Sequence, residues 1–354
     1  MTPALLSSFA VVTKDDDGWF SPGSIRVTIF TLLISTLGVG MLSIPRAFER
    51  SGLILGIIVV YIGAIVSYLS MRCLVAASSH TRLVSMSDLA LWSHGIKFKY
   101  FTDFVFLVNT FGTCVAYTIA IKENITAINR SMFDLGWTSI PFIMRDQKSA
   151  FWIVVSQLLL IPLVIKEKLA ELRVLALISF CIISYIGGTI IANCFNNTYT
   201  ESFNTKWDSI KLFDVSGLVN TIPVVIFGFT CQQIVLSCFR ELRNPTIRRM
   251  DKAMARQLFL VSTIYILVGV YGYLTFGSDF NDQDQNILTK YNTKNISILI
   301  VGISLTSGYI LVDPVYPHAE PFNVMPTREA LFILFRPGEI PTGWMNILVT
   351  LGNL

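Results

Sequence analysis

Long apolar runs, each bounded by charged residues, dominate the chain. Eight stretches free of Asp, Glu, Lys and Arg are long enough to cross a bilayer: Val27 to Pro45 (19 residues), Ser51 to Met71 (21), Phe104 to Ile121 (18), Ser149 to Ile165 (17), Val174 to Thr200 (27), Val215 to Phe239 (25), Gln257 to Ser278 (22) and Asn295 to Val312 (18). A spanning helix needs about 20 mostly apolar residues, so the pattern predicts eight membrane-crossing helices. A ninth apolar run, Ile340 to Leu354, continues for 15 residues to the last residue given. Residues 1–24 read as a cytoplasmic tail and residues 25–354 as one all-α polytopic membrane domain. Because the ninth run is shorter than a crossing, that domain is expected to be truncated at its C-terminal end.

Composition closes off the alternatives. Of 354 residues, 53% are hydrophobic and only 14% charged, against roughly 25% charged in an average soluble domain. Soluble enzymes, secreted disulfide modules and nucleic-acid binders are excluded on that balance. With the N-terminus in the cytoplasm, 17 of the 27 Lys and Arg residues fall on the cytoplasmic side, six of them between Arg240 and Arg256. That excess gives the orientation. The glycosylation triplets agree: Asn124, Asn129, Asn196 and Asn295 all fall on the outer side, with Asn129 and Asn196 the best-placed acceptors, while Asn244 is blocked by Pro245. The six cysteines show no metal-ligand spacing or disulfide framework and read as packing residues. No catalytic set, metal cluster or cofactor-binding motif is present, and the chain is not expected to be an enzyme. Membrane lipid is the expected surrounding partner.

Two spans carry interruptions. The first has Gly38-Val39-Gly40 near its centre, preceded by Ser35 and Thr36 and followed by Met41 and Pro45. The sixth has Pro223, then Phe227-Gly228-Phe229-Thr230-Cys231-Gln232-Gln233. Unwound backbone at membrane depth is tolerated only where it faces protein or a water-filled cavity. A pair of Gly/Pro-interrupted spans at corresponding positions of two halves is the sequence sign of a secondary transporter's binding site; a small-residue packing seam is the competing reading. The candidate substrate contacts are therefore Thr36, Gly38, Val39, Gly40, Met41, Phe227, Gly228, Phe229 and Thr230. Asn109, in the middle of the third span, is a further candidate, with an interhelical hydrogen bond as its alternative role.

At these positions the chain resembles a known family. Gly38-Val39-Gly40-Met41-Leu42-Ser43-Ile44-Pro45-Arg46-Ala47-Phe48 is similar to the first-helix motif of the amino acid/auxin permeases. Phe229-Thr230-Cys231-Gln232-Gln233 followed by Glu241-Leu242-Arg243-Asn244-Pro245-Thr246 resembles their sixth-helix block, and Gly272 to Gly277, Asn286 to Leu288 and Pro326 to Leu331 resemble later ones. The resemblance implies an eleven-helix, proton- or sodium-coupled amino acid transporter with a leucine-transporter-like inverted-repeat bundle. It also implies a site between helices 1, 3, 6 and 8.

Coupling is where the chain departs from that pattern. Sodium-coupled relatives place an Asn four residues before the first motif glycine, and here that position is Ile34. The proton is therefore the expected driving ion, with no other cofactor. Candidate coupling residues around the eighth span are Ser304, Thr306 and Ser307 by one alignment, and Asp313, His318 and Glu320 by another. Ionisable groups within a membrane mark functional sites by default, although these last three also fit the wet inner end of the helix. The expected function is secondary active amino acid transport by alternating access, at the plasma membrane or a vacuole- or lysosome-like organelle. A membrane amino acid sensor without net transport and an inactive truncated product remain open as alternatives.

Overall fold

The computed structural model describes residues 21, 23–38, 40–83, 85–134, 173–195, 210–277 and 287. The described residues are all helical or connecting, with no strand among them. The helices are α1 (Ile25–Thr36), α2 (Gly40–Ser51), α3 (Leu53–Thr81), α4 (Met86–His94), α5 (Ile96–Asp134), α6 (Arg173–Cys194), α7 (Leu218–Gly228), α8 (Gln232–Glu241) and α9 (Ile247–Phe276). A short 3₁₀ turn, Val215–Gly217, leads into α7. Six of the eight apolar runs are thus helical. The other two, Ser149 to Ile165 and Asn295 to Val312, lie outside the described residues, as does the ninth run.

Among the described residues, three spans are long and apolar enough to cross a membrane: Leu53–Thr81, Val215–Glu241 and Ile247–Phe276, with α1 and α2 forming a fourth if the bent pair counts as one. α3 shows why lipid is needed. Leu55, Val59, Val60, Met71 and Val75 pack inward, yet Ile54, Ile58, Tyr61, Ile62, Ile65, Val66 and Leu69 on the other face are exposed. A helix apolar all round cannot hold that outer face in water.

α9 is the centre of the bundle, packing against α1, α2, α3 and α6. Small residues allow the closest crossing. A Cβ on Gly269 would fall 2.8 Å from the Phe48 ring, and one on Gly272 would fall 2.7 Å from Pro45 Cγ, so α2 lies directly against the α9 backbone. Ile44, Phe48, Met254, Val261, Tyr265 and Tyr273 belong to the resulting core.

Three boundaries differ from the sequence reading. Pro45 does not end the first span: it sits inside α2, which runs on to Ser51. A proline in a helix removes one backbone bond, and here a buried Arg46 paired with Glu49 at 2.9 Å carries the helix past it. α5 runs past the third apolar run, which stops at Ile121, through to Asp134, so Asn124 and Asn129 stand on a helix. The basic segment is mostly the first turns of α9, which starts at Ile247 with the Thr246 side chain capping Arg249 N. Asn244, with φ +54°, and Pro245 turn the chain between α8 and α9. The most distinctive stretch of the resemblance, Glu241 to Thr246, is therefore a helix-turn-helix connector.

Candidate functional site

Both interrupted spans are broken where the glycines predict. α1 and α2 meet at 58°. At the first break Leu37 N–H still donates to Leu33 O (2.8 Å), Gly38 N–H turns back to Thr36 O (2.9 Å), and Met41 N–H opens α2 by donating to Gly38 O (3.2 Å). In this arrangement the N–H groups of Gly38 and Met41 are thus engaged within the break rather than turned to a carboxylate. At the second break Phe229 N–H donates to Val225 O and Ile226 O (3.1 and 3.2 Å), and Thr230 N–H to Phe227 O (3.1 Å). α8 then begins at Gln232.

The two broken helices lie side by side and antiparallel, α2 against α7 and α1 against α8. Their ends are tied. At one end Arg243 N–H donates to Gly23 O (2.8 Å). At the other, Leu53 N–H donates to Lys211 O and Ile54 N–H to Leu212 O (both 3.0 Å), Asp214 N–H to Ser51 O (2.8 Å), and Thr221 Oγ1 to Ala47 O (3.0 Å). Antiparallel pairing brings break against break. A Cβ on Gly40 would lie 3.1 Å from Gly228 Cα, and one on Gly228 would lie 3.2 Å from the Tyr265 ring.

Side chains from α3 and α9 supply donors to the carbonyls that the breaks free. Tyr265 Oη lies 2.8 Å from Thr36 O and 2.7 Å from Gly228 O, so one phenol faces both breaks. Gln257 Nε2 donates to Thr36 Oγ1 (2.8 Å), which itself donates to Leu32 O (2.7 Å). Because the Thr36 hydroxyl proton is spent on Leu32, its oxygen can only accept, which fixes the Gln257 amide with nitrogen towards Thr36 and leaves Oε1 buried without a partner among the described residues. Ser67 Oγ donates to Phe229 O (3.1 Å) and accepts from Gln232 Nε2 (3.3 Å), while Gln232 Oε1 takes the Cys231 N–H (3.0 Å). Buried polar groups need such partners, since each one left unpaired costs about 1–3 kcal/mol.

The candidate contacts therefore separate. Thr36, Gly38, Gly40, Met41, Gly228 and Phe229 gather at the junction of the breaks; Phe229 is buried edge-on against Tyr265, ring centres 5.3 Å apart. Phe227 is 36% exposed, with its Cδ1 3.8 Å from where a Cβ on Gly40 would stand. Thr230 Oγ1 donates back to Ile226 O (2.9 Å). Asn109 is half-buried on α5, which packs chiefly on α4, and its described hydrogen bond is its carbonyl accepting from Thr113 Oγ1 (2.9 Å). Val39, Asn196, Ser304, Thr306, Ser307, Asp313, His318 and Glu320 lie outside the described residues, and Asn129 is described only as helix backbone. Tyr265, Gln257, Ser67 and Gln232 are the site residues the sequence reading missed. Gln257 and Tyr265 are eight apart in one apolar run, hence on one helix face, which is the only trace they leave in the sequence.

Residues 21–332 match the family described as transmembrane amino acid transporter protein. Among similar curated proteins, vacuolar amino acid transporter 5 of Schizosaccharomyces pombe is 26% identical over 313 residues, covering 87% of this chain and 69% of the relative. Vacuolar amino acid transporter 7 of Saccharomyces cerevisiae is 25% identical over 294 residues (81% and 56%), and vacuolar amino acid transporter 5 of the same yeast is 24% identical over 313 (84% and 65%). The chain thus spans between about half and two thirds of the length of these relatives.

Proposed function

The chain belongs to the transmembrane amino acid transporter family, and from that premise we propose that it carries amino acids across a membrane by alternating access, driven by protons. The observation that carries the reading is the pair of antiparallel broken helices meeting at Tyr265, with Gly40 against Gly228. Two helix breaks side by side at membrane depth carry what a zwitterion needs once they part: the backbone N–H groups and carbonyls now engaged within the breaks would then serve the carboxylate and the ammonium. In a leucine-transporter-like bundle of inverted repeats, α1 with α2 and α7 with α8 are the first helices of the two halves, and their antiparallel packing supports that arrangement. The N-terminus is cytoplasmic in this reading, and the vacuolar names of the relatives favour an acidic organelle.

Proton drive is supported by Ile34. That position lies in the apolar core and offers no side-chain oxygen for a sodium ion, which needs oxygen ligands. The coupling group belongs to the region around Ser304, Thr306, Ser307, Asp313, His318 and Glu320. Uptake by the full-length protein in proteoliposomes, with a panel of amino acids at two external pH values, tests the whole reading. The expected result is uptake that rises with an inward proton gradient, survives replacement of sodium by choline and collapses with a protonophore. Sodium-dependent uptake would overturn proton coupling; binding without flux would favour a sensor.

A further inference from the structure

The Tyr265 hydroxyl has one proton and stands 2.8 and 2.7 Å from two carbonyl oxygens, Thr36 O from α1 and Gly228 O from α7. It can donate to only one of them at a time. Neither carbonyl keeps the N–H four residues on that a continuous helix would give it, Thr36 O retaining the tight turn bond from Gly38 N–H, and the phenol is fully buried between them. Around the same point Gly40 presses on Gly228, and Gly228 on the Tyr265 ring. The two backbones are in van der Waals contact, so any ligand enters between them only when they part. When they part, one oxygen loses its access to the phenol.

We propose that Tyr265 is a positioning residue that sets the closure of the two broken helices on each other: its single proton, shared between the Thr36 and Gly228 carbonyls, holds the breaks together in the empty carrier and is given up by one carbonyl when a ligand's own donor takes its place. The substrate part of this statement rests on the transport reading above; the closure part rests on the geometry alone. Its consequence is a division of labour. Tyr265 matters for the return of the empty carrier, in which the breaks must close on nothing but each other, and matters little when a loaded carrier moves in both directions.

Two readouts separate this from a merely structural role, using the full-length protein in proteoliposomes with a radiolabelled mixture of the twenty protein amino acids. The first compares net uptake into empty vesicles with exchange into vesicles preloaded with the same mixture. The second follows alkylation of Cys231, buried at the second break, by N-ethylmaleimide, read on its peptide by mass spectrometry. Tyr265→Phe is expected to lower net uptake about tenfold while exchange stays within about twofold, and to speed Cys231 alkylation about tenfold, the scale set by one hydrogen bond to buried carbonyls. Tyr265→p-aminophenylalanine, introduced by amber suppression, puts two N–H donors at the same reach, one for each carbonyl, and is expected to alkylate no faster than wild type. This variant decides the question if Tyr265→Phe does not accumulate. Ser262→Ala removes a buried hydroxyl of α9 that bonds only within its own helix, and is expected to change neither ratio. Unchanged Cys231 alkylation in Tyr265→Phe, a parallel fall of net uptake and exchange, or faster alkylation with p-aminophenylalanine would each overturn the proposal. A wild-type protein that neither accumulates nor exchanges amino acids overturns the transport reading instead, and Cys231 alkylation then still decides the role of Tyr265.

Discussion

Gly40 and Gly228 face each other across the two broken spans so closely that a Cβ on the first would stand 3.1 Å from the Cα of the second. A single methyl there requires a shift of a few tenths of an ångström, and a branched side chain requires the helices to separate. Gly40→Val should therefore abolish uptake while expression and insertion persist, with Gly40→Ala intermediate. Normal uptake by a correctly inserted Gly40→Val protein would remove this contact from the site.

Ser67 holds the second break from outside. Its hydroxyl is the donor to Phe229 O and the acceptor for Gln232 Nε2, so Ser67→Ala leaves a buried carbonyl and a half-buried amide short of partners at once. The expected cost is about 1–3 kcal/mol of stability, seen as a lower melting temperature in detergent. Ser67→Thr, which keeps the hydroxyl, should recover most of it.

Thr36 and Gln257 make the corresponding test at the first break. Thr36→Val removes the oxygen that accepts from Gln257 Nε2 and leaves the amide with neither end paired. Gln257→Leu removes the amide altogether and is expected to restore stability to the Thr36→Val background. A double-mutant cycle by thermal shift reads this directly: the double variant should be more stable than Thr36→Val alone, and additive losses would show that the two residues are not coupled.

The turn before α7 gives a pH prediction. Ser216 and Lys211 donate to Asp214 and hold its carboxyl at about 2, below the usual 3.8; the Asp214 carboxylate in turn raises Lys211 above its ordinary value. A carboxyl lowered in the folded state contributes stability above its ordinary pKa, and that contribution is lost as pH falls towards the lowered value. The raised lysine contributes below its ordinary pKa and loses its contribution only in strong alkali. Asp214→Asn should consequently lower the melting temperature equally at pH 5 and pH 7, and the difference from wild type should shrink by pH 3. A difference that already shrinks between pH 7 and pH 5 would contradict the assignment.

Where the backbone must break was legible in the sequence, because glycine and proline inside charge-free runs leave few alternatives. Where helices end was less so. Pro45 reads as a stop, but as the sixth residue of α2 it costs one bond, and the helix continues on the Arg46 and Glu49 pair. Lys122 and Glu123 close the third apolar run, yet charged residues end a membrane crossing without ending a helix, and α5 runs on to Asp134. Tyr265 and Gln257 stayed hidden for a different reason. Spacing shows that they share a face of α9, but which helix that face meets is a tertiary fact, settled by glycines at 269 and 272 that let α2 lie against α9.

The ties at the two ends of the broken pair are unequal. Where α2 gives way to α3, four hydrogen bonds join residues 47–54 to residues 211–221, and Gly217 sits so tightly on Arg50 that a Cβ would collide with its carbonyl. At the opposite end, among the described residues, one backbone bond from Arg243 to Gly23 joins the foot of α1 to the connector beyond α8. At about 1 kcal/mol per bond, breaking the tie at the foot of α1 costs a fraction of what breaking the four at the other end does. The first broken span is a lever with one arm bolted at its end and the other held mainly by side-chain packing, and the 58° elbow between them is its fulcrum.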